Sequence, residues 1–362
     1  MAERGCHTCF VVKALLSCAL VLALAACGSA SDRRPVASPA HPAAKADPAS
    51  TPDPTQPDPV LARLGLPPLR GASPLPGYLM IADRDNNRII IVSPAGRIVW
   101  RFPAGGGSGF PGPDDAFVSP DGRYISVNQE FNETIALVSL SRHPGVVWSY
   151  GQPAAEGSAP GFLGHPDDAY LLANGEIQVA DILNCRVLWI NRAKRIVHSI
   201  GSAGGCIHNP PGALSDPNGD TPVPGGGVLV TEIGGWVDYL GRAGRLVWSI
   251  RTPTDYPSDA QPLPGGNVLV AAYNTPGRID ILTPHGKIVW TYERASGPGA
   301  LQQPSLAVML PNGMIAATDD WNNRVVVIDP RSNRIVWQYG HDGVSGSSPG
   351  YLRKPDGLDL IP

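Results

Sequence analysis

Residues 96–100, Gly-Arg-Ile-Val-Trp, carry a pattern that decides the fold of this 362-residue chain. Two aliphatic residues followed by an aromatic ring recur six times, each time closing a strand-like segment. The copies are Ile98-Val99-Trp100, Val146-Val147-Trp148, Ile196-Val197-His198, Leu246-Val247-Trp248, Ile288-Val289-Trp290 and Ile335-Val336-Trp337. Successive copies lie 48, 50, 50, 42 and 47 residues apart, a period typical of propeller blades of four short strands. The repeat therefore predicts an all-β, six-bladed β-propeller.

The composition agrees with an all-β chain and argues against one class of partner. The chain has 42 glycines and 39 prolines, which suit tight turns and oppose long helices. Charged residues make up only 16% of the chain, and the formal net charge is -3, whereas a nucleic-acid-binding protein usually presents a basic face. We therefore expect a monomer that binds no nucleic acid.

The amino terminus has the form of an export signal. A positively charged start precedes an apolar run over residues 14–26, which is too short to cross a bilayer comfortably. We expect residues 1–26 to be a signal peptide. The ending Leu24-Ala25-Ala26-Cys27-Gly28 resembles the lipobox of bacterial lipoproteins, which implies a lipid on Cys27. The alternative is ordinary cleavage near Ala26, with Cys27 incidental.

Lipidation would place the protein on a membrane surface. Acyl chains on Cys27 hold a protein at the bilayer without crossing it, so the lipobox resemblance implies export and anchoring to the outer face of the cell membrane. Residues 27–75 are rich in Pro, Ala, Ser and Asp and hold too little apolar material for a core. We expect this segment to be an extended stalk, or a disordered leader without a role, and residues 76–362 to form the propeller.

The inner strands predict how the ring closes. Only five segments match an inner strand for the six outer ones, and they begin at Asp114, Asp167, Asp216, Asp259 and Ser305. The missing strand fits residues 354–361 at the carboxyl end, and the first strand, residues 77–83, lacks an inner partner. We therefore expect the last strand to complete the first blade, which removes open sheet edges.

Three segments resemble the Asp-x-x-Asn-x-Arg signature of the NHL propeller family: residues 83–88, 181–186 and 319–324. The blades that end at Trp248 and Trp290 depart from it, so they are divergent members or blades remodelled for a site. The Gly/Asn-basic-aliphatic-Val-Trp endings are also similar to quinoprotein and arylsulfotransferase repeats. Quinoprotein dehydrogenases have more blades and a longer motif that is missing here, so we expect no quinone cofactor. The repeated Trp residues are expected to pack blade against blade.

Polar side chains gather on one face of the predicted ring. The inner-strand entries and the loops between second and third strands meet around the channel, and such mouths are the usual ligand sites. Aspartates recur there, although capping of turns explains any single one of them as well. The aspartates at this face are Asp83, Asp114, Asp115, Asp167, Asp168, Asp181, Asp216, Asp220, Asp259, Asp319, Asp320 and Asp356.

The entry to the fourth blade departs most from the repeat. Residues 204–221 form an unusually long polar loop that leads to Glu232, and long loops inside compact repeats are often functional. A loop held only for stability is the alternative. The predicted ligand-binding residues are Asn218, Asp220, Glu232, Asn274 and Asp319.

The same residues suggest a metal. Glu232, Asn218, Asn274 and Asp319 offer the oxygen ligands that calcium prefers. Six-bladed propellers resembling gluconolactonases hold calcium at the channel mouth with such side chains, so the resemblance implies calcium as a possible cofactor. His165 and His208 are the candidate catalytic residues. His165 is one because arylsulfotransferase-like propellers use a histidine, and His208 because it lies in the long entry loop of the fourth blade. The chain has no Gly-x-Ser-x-Gly elbow and no P-loop.

Two cysteines lie beyond the predicted leader and anchor, and we expect them to pair. Cys185 and Cys206 fall on the polar face, in the third blade's loop and the next blade's entry. Export favours an oxidising compartment, so a disulfide is predicted. A catalytic cysteine is not expected, because no Cys-His signature accompanies either residue.

Three classes of function fit these features. The first is a binding module that presents the channel mouth to a small molecule or an envelope protein. The second is a calcium-dependent hydrolase, lactonase or lyase, and the third is a structural protein of the envelope. The missing catalytic signature favours the binding module.

Overall fold

The computed structural model describes residues 58–69, 71–104, 109–202 and 204–362. The predicted signal peptide, Cys27 and most of the predicted stalk lie outside these residues. Within them, no helix is both long and apolar enough to span a bilayer.

The described residues form 24 strands in six antiparallel sheets of four strands each. In chain order the strands are β1 (Tyr78–Asp83), β2 (Arg88–Val92), β3 (Ile98–Phe102), β4 (Ala116–Val118), β5 (Tyr124–Gln129), β6 (Thr134–Ser139), β7 (Val146–Gly151), β8 (Pro166–Leu171), β9 (Ile177–Asp181), β10 (Arg186–Ile190), β11 (Ile196–Gly201), β12 (Pro217–Pro222), β13 (Gly227–Glu232), β14 (Trp236–Gly241), β15 (Leu246–Arg251), β16 (Pro257–Pro262), β17 (Val268–Ala272), β18 (Arg278–Leu282), β19 (Ile288–Glu293), β20 (Ala307–Met309), β21 (Ile315–Asp319), β22 (Arg324–Asp329), β23 (Arg334–Gly340) and β24 (Pro355–Ile361). The sheets, which we number as blades 1 to 6, have the orders β24-β1-β2-β3, β4 to β7, β8 to β11, β12 to β15, β16 to β19 and β20 to β23. The prediction of a six-bladed β-propeller is confirmed.

The last strand closes the ring as predicted. Strand β24 pairs antiparallel with β1, and its register joins Tyr78 to Ile361 and Ile81 to Leu358. The carboxyl-terminal strand is therefore the inner strand of blade 1, which gives that blade four strands like the others.

The apolar core lies between neighbouring blades, because each central strand is covered on both faces. In β2, Ile91 packs towards blade 2 with Ile125, whereas its neighbour Ile90 packs towards blade 6 with Val325. Successive side chains of a strand point to opposite faces, so a continuous apolar run serves two interfaces. Full burial of each such side chain contributes about 1.5–3 kcal/mol to folding.

The repeated tryptophans tie blade to blade, as predicted. Four of them donate an indole N–H to a backbone carbonyl in a turn of the next blade. The pairs are Trp100 to Ser141 (2.7 Å), Trp148 to Arg192 (3.0 Å), Trp290 to Pro330 (3.2 Å) and Trp337 to Pro94 (2.9 Å). The aromatic position thus combines apolar packing with one directional bond.

A short helix corrects the predicted extent of the stalk. Helix α1 (Pro59–Leu64) starts at Asp58, whose carboxylate caps the first turn, and ends at Gly65 in the left-handed conformation. Its residues Val60, Leu61 and Leu64 are buried in the core shared by blades 1 and 2. The prediction of an extended stalk up to residue 75 is therefore wrong for this helix, which one turn of apolar spacing was too short to reveal.

Candidate functional site: an acidic funnel on the propeller axis

Three blades share a clamp that fixes the loops at one mouth of the channel. In blade 6, Asp319 accepts hydrogen bonds from Arg324 Nε (2.7 Å), Asn322 Nδ2 (3.0 Å) and the Gln302 N–H (2.7 Å). Asp83 in blade 1 and Asp181 in blade 3 have the same set of partners. We call this arrangement the Asp-Arg clamp. The Asp, Asn and Arg of the Asp-x-x-Asn-x-Arg signature are the residues that form it.

The clamp directs the residue that follows it towards the axis. A 3-10 turn starts directly after each clamp aspartate, at Arg84, Ile182 and Asp320, and blade 2 has an equivalent turn that starts at Glu130. Arg84 and Asp320 influence each other and also Asp356 of β24, so these turns meet around the channel.

Inner strands and turns together bring nine carboxyl groups into one cluster. Each of them either shifts the pKa of another member or has its own pKa shifted by one, and the members are Asp114, Asp115, Glu130, Asp167, Asp168, Asp220, Asp259, Asp320 and Asp356. Among the described residues, Arg84 is the one arginine or lysine side chain that pairs with them. Its Nη1 donates to Asp114 Oδ1 at 2.8 Å and also meets Asp356 Oδ2. We call this cluster and its walls the axial funnel.

Burial makes the charged state of these carboxyl groups unfavourable. Desolvation is the main reason that the pKa values of Asp115, Asp167 and Asp168 lie well above the ordinary value, and neighbouring carboxylates raise them further. Burial also raises the pKa of Asp259 to about 6. For Glu130, burial and then the charge of Asp356 raise the pKa to about 7. The funnel therefore favours any cation that enters it.

Asn128 gathers three of the aspartates. Its Nδ2 lies 3.3 Å from Asp114 Oδ2 and 3.2 Å from Asp167 Oδ1, and its Oδ1 accepts the Asp115 N–H at 2.9 Å. One carboxylate oxygen from each of Asp114, Asp115 and Asp167 lies within 4.8 Å of the others, and all three residues are buried. This is the densest group of oxygen ligands in the funnel.

Two further carboxylates in the funnel have oxygens without hydrogen-bond partners. Both Asp220 side-chain oxygens and Asp320 Oδ2 are inaccessible to solvent, and none of these three atoms accepts a hydrogen bond from the described residues. Gln178 lies next to Asp220 and lowers its pKa, but its side-chain N–H bonds to the Asp220 backbone carbonyl. Buried, unpaired carboxylate oxygens are costly unless a ligand meets them.

Aromatic residues define both ends of the funnel. Deep in the channel, the rings of Phe117 and Tyr170 stack at 3.9 Å, and Gln261 from blade 5 reaches the Tyr170 hydroxyl at 3.5 Å. At the mouth, Tyr256 donates to Asn218 Oδ1 at 2.9 Å and its ring lies 5.2 Å from that of Tyr273. The funnel thus has a floor and an aromatic rim.

The structure separates the residues that the sequence predicted as one calcium site. Asp220 lies in the funnel and Asn218 at its mouth. Asp319 belongs to the clamp of blade 6, so its oxygens are already taken by Arg324 and Asn322. Glu232 instead meets His208 at the entry loop of blade 4. Asn274 has a buried Oδ1 that accepts no hydrogen bond from the part of the chain that the structure describes, and Asn274 contacts none of the other three residues. The predicted set Glu232, Asn218, Asn274 and Asp319 is therefore not one metal centre.

The two predicted histidines occupy different places. His165 lies near the funnel, with Nδ1 3.8 Å from Glu130 Oε1 and Nε2 3.6 Å from Glu133 Oε1. His208 stands in the blade 4 entry loop, close to Cys206. That cysteine forms the predicted disulfide with Cys185, across a Cα–Cα distance of 5.2 Å. The disulfide prediction is confirmed.

Sequence reasoning placed the other funnel carboxylates on the right face but did not select them. Arg84, Glu130 and Asp320 each stand first in a turn after β1, β5 and β21, and that shared position is the signal that identifies them. In the sequence, Asp115 and Asp167 look like turn-capping aspartates. They lie 52 residues apart in different blades, and only the folded ring brings them close together.

A family model matches part of the chain. Residues 173–350, just under half of the sequence, match the family described as outer membrane protein assembly factor BamB. The match and the six blades support a propeller of the quinoprotein-repeat type. No curated protein matches the chain.

Several solved structures share the architecture. A protein of unknown function from Bacteroides caccae is 17% identical, with a TM-score of 0.57 over 78% of this chain and 97% of that one. A chain of a nidogen/laminin complex is 13% identical, with a TM-score of 0.53 over 78% of this chain and 97% of that one. Hydrazine synthase from Kuenenia stuttgartiensis is 15% identical, with a TM-score of 0.50 over 71% and 75%. At these identities the likeness shows the fold alone.

Proposed function

We propose that this protein is an exported, lipid-anchored binding module whose axial funnel holds a divalent cation, with calcium as the best fit. The observation that carries the proposal is the imbalance of charge in the funnel, where eight buried aspartates and the partly buried Glu130 share the single guanidinium of Arg84. A protein that buried these groups for stability alone would pair each with a cation, as the clamps do.

The spacing of the central aspartates suits calcium. Calcium binds oxygens at roughly 2.3–2.6 Å, so two of its ligands are separated by at most about 5 Å. The oxygens of Asp114, Asp115 and Asp167 satisfy that limit, since they lie within 4.8 Å of one another. Water or the oxygens of a ligand would complete the coordination, because calcium takes about six to eight oxygens. The ion would then join the protein to a small molecule or to an envelope protein that reaches the mouth.

The direction of the chain supports access to that mouth. Strand β1 runs from Tyr78 to the clamp residue Asp83 at the mouth, so the described chain enters the ring at the opposite face. A tether through a lipid on Cys27 would leave the mouth free for a partner. The mouth carries Phe131 and Trp321, which are 67% and 48% exposed and offer apolar contact to such a partner.

Calorimetry with calcium tests the proposal. We expect the purified full chain in detergent to bind about one calcium ion, and Asp115→Asn together with Asp167→Asn to abolish that binding. Asp121→Asn is the matched control, because Asp121 is an exposed carboxylate in the turn before β5. A wild-type protein that binds no calcium, or a double variant that binds it unchanged, would overturn the proposal.

A second candidate function is a calcium-dependent hydrolase, lactonase or lyase. The observation that favours it is His165, whose ring lies 3.8 Å from Glu130 at the mouth and is 29% exposed. A neutral imidazole beside a metal site has the chemistry of a general base. Turnover of lactones or esters by the calcium-loaded chain, lost in His165→Ala with calcium binding intact, would support an enzyme over a binding module.

A further inference from the structure

A second cluster of ligand-type side chains lies in blade 4, apart from the funnel. It consists of His208 from the entry loop, Glu232 at the end of β13 and Asp238 in β14. Among the described contacts of Glu232 and Asp238, none is to a funnel carboxyl, so the cluster lies apart from the axis.

The distances in this cluster are those of a metal-binding set. His208 Nδ1 lies 3.0 Å from Glu232 Oε2 and 3.8 Å from Asp238 Oδ2, and one atom from each residue lies within 4.8 Å of the other two. Zinc binds nitrogen and oxygen at roughly 2.0–2.2 Å, so the edges of its tetrahedron measure about 3.3–3.6 Å. The observed separations fall on either side of that length.

Three of the four oxygens of these two carboxylates lack a hydrogen-bond partner among the described residues. Both Glu232 and Asp238 are completely buried, and Glu232 Oε1, Asp238 Oδ1 and Asp238 Oδ2 accept no hydrogen bond from the described residues. Two neighbouring buried carboxylates repel each other and lose their hydration, which is costly without a cation or a shared proton. A divalent ion between them would remove both penalties.

The other blades show what is missing here. In β18 of blade 5, Asp280 occupies the position of Asp238, and Arg278 pairs with it at 2.6 Å. In blades 1, 3 and 6 that position is apolar and is filled by Ile90, Leu188 and Val326. In blade 4 the residue in place of the arginine is Trp236. Asp238 is thus a second buried acid added to a blade from which the compensating guanidinium is gone.

The surroundings of His208 prepare it as a ligand. Its ring stacks on Trp236 at 3.9 Å with the planes 6° apart. Its Nε2 lies 3.3 Å from Ser249 Oγ. An Nε2–H that donates to Ser249 leaves the Nδ1 lone pair facing the two carboxylates, which is the usual role of a partner around a metal ligand. Arg251 lies over the Trp236 ring and pairs with Asp255 instead of neutralising the cluster.

We propose that His208, Glu232 and Asp238 form a zinc-binding site with an open fourth position. One imidazole and two carboxylates suit zinc better than calcium, which prefers oxygen ligands alone. The His208 side chain is 21% exposed, so solvent reaches the metal from the loop side. Three protein ligands and one water are the composition of zinc sites that act on substrates. The Cys185–Cys206 disulfide holds the loop two residues from His208.

Zinc titration of the purified full chain, stripped of metal by a chelator, tests the site. We expect one zinc ion per chain to bind in the presence of excess calcium. His208→Gln keeps a hydrogen-bonding side chain against Glu232 and should weaken zinc binding at least 100-fold. Ser249→Ala removes only the partner of the ligand and should weaken it by about 10-fold. His285→Ala, in an exposed turn, is the matched control and should bind as the wild type does.

Two measurements keep the result interpretable. The thermal midpoint of metal-free His208→Gln shows whether that variant folds. X-ray absorption on the zinc-loaded wild type does not depend on the variant, and it should show one imidazole among oxygen ligands. Zinc that is lost in Asp115→Asn with Asp167→Asn, but kept in His208→Gln, would place the ion in the funnel and overturn the proposal. A wild type that binds no zinc would overturn it as well.

Discussion

The clamps and the axial funnel place buried carboxylates in opposite situations. Asp319 has its own arginine, its own asparagine and a backbone N–H, and every one of those partners comes from the same blade. The funnel carboxylates come from several blades and share Arg84. A buried carboxylate that is paired with an arginine of its own blade stabilises the fold, whereas a buried carboxylate without such a partner is available to a ligand.

Blade 4 stands between these two cases. Glu232 occupies the clamp position and accepts the Ser215 N–H at 2.8 Å, as a clamp aspartate would. A histidine from the entry loop replaces the arginine, and a second acid, Asp238, is added behind it. The comparison indicates that an Asp-Arg clamp can become a metal-binding site when a histidine takes the place of the arginine.

The largest effect should follow a change that damages clamp and funnel together. Deletion of residues 355–362 removes β24, and with it Asp356 of the funnel and the inner strand of blade 1. It also frees the chain end that carries the Arg353 N–H, which donates to the clamp residue Asp83 at 2.8 Å. We expect the truncated chain to lose cooperative unfolding in calorimetry. A truncated protein that melts like the full chain would contradict the closure of the ring.

The next largest effect should come from one clamp alone. The Arg324 side chain is 1% exposed, and Arg324→Met would leave Asp319 buried without its cation. We expect a loss of about 3–5 kcal/mol in the free energy of unfolding, measured with urea. Arg331→Met, in an exposed turn, is the control and should change stability by less than about 0.5 kcal/mol. A loss below 1 kcal/mol for Arg324→Met would mean that the clamp does not stabilise the fold.

The disulfide should rank third, because it holds a blade that has no arginine clamp. It joins Cys185 to Cys206, which are 21 residues apart, and a cross-link of that length stabilises the fold by about 3 kcal/mol. The double variant Cys185→Ser with Cys206→Ser should therefore unfold at lower urea. An unchanged midpoint would show that loop packing alone fixes the blade 4 entry.

How far the sequence predicted these features depends on how local they are. The blades and the ring closure follow from patterns repeated along the chain, and the disulfide follows from the two cysteines beyond the predicted leader and anchor. The structure confirms all three. The Asp-x-x-Asn-x-Arg segments were visible too, yet Asp319 was assigned to a ligand site because the sequence does not show that Arg324 folds back on it at 2.7 Å. Asp238 was not predicted as a site residue. A single acid in a strand does not indicate a site, and the sequence does not show that His208, 30 residues earlier, lies beside it.

Removal of a charged side chain in the funnel should raise the free energy of unfolding, whereas removal of one in a clamp should lower it. Burial keeps the pKa of Asp320 well above its ordinary value, so its charged form opposes folding. Asp320→Asn should stabilise the calcium-free protein by about 0.5–2 kcal/mol and weaken calcium binding. Thermal melts with and without calcium measure both quantities. Destabilisation of the calcium-free protein by Asp320→Asn would remove the distinction between the two regions.

The smallest expected effect is a pH dependence confined to the funnel. A carboxyl group with a raised pKa stays protonated where an ordinary one is charged, and Glu130 has its pKa at about 7. Protons therefore compete with calcium below pH 7, and the affinity should fall by up to about tenfold per pH unit from pH 7 to pH 6. Above pH 8 it should level off. Glu130→Gln should flatten this profile, and an affinity that rises on acidification would contradict the assignment.

The position of a bound ion tests the central claim most directly. Crystals of the protein soaked in a calcium-like lanthanide, such as terbium, would reveal each ion by its anomalous scattering. The account predicts the strongest peak on the propeller axis, within coordination distance of Asp114, Asp115 and Asp167. An axis without a peak at saturating lanthanide, with ions bound only at surface carboxylates, would contradict it.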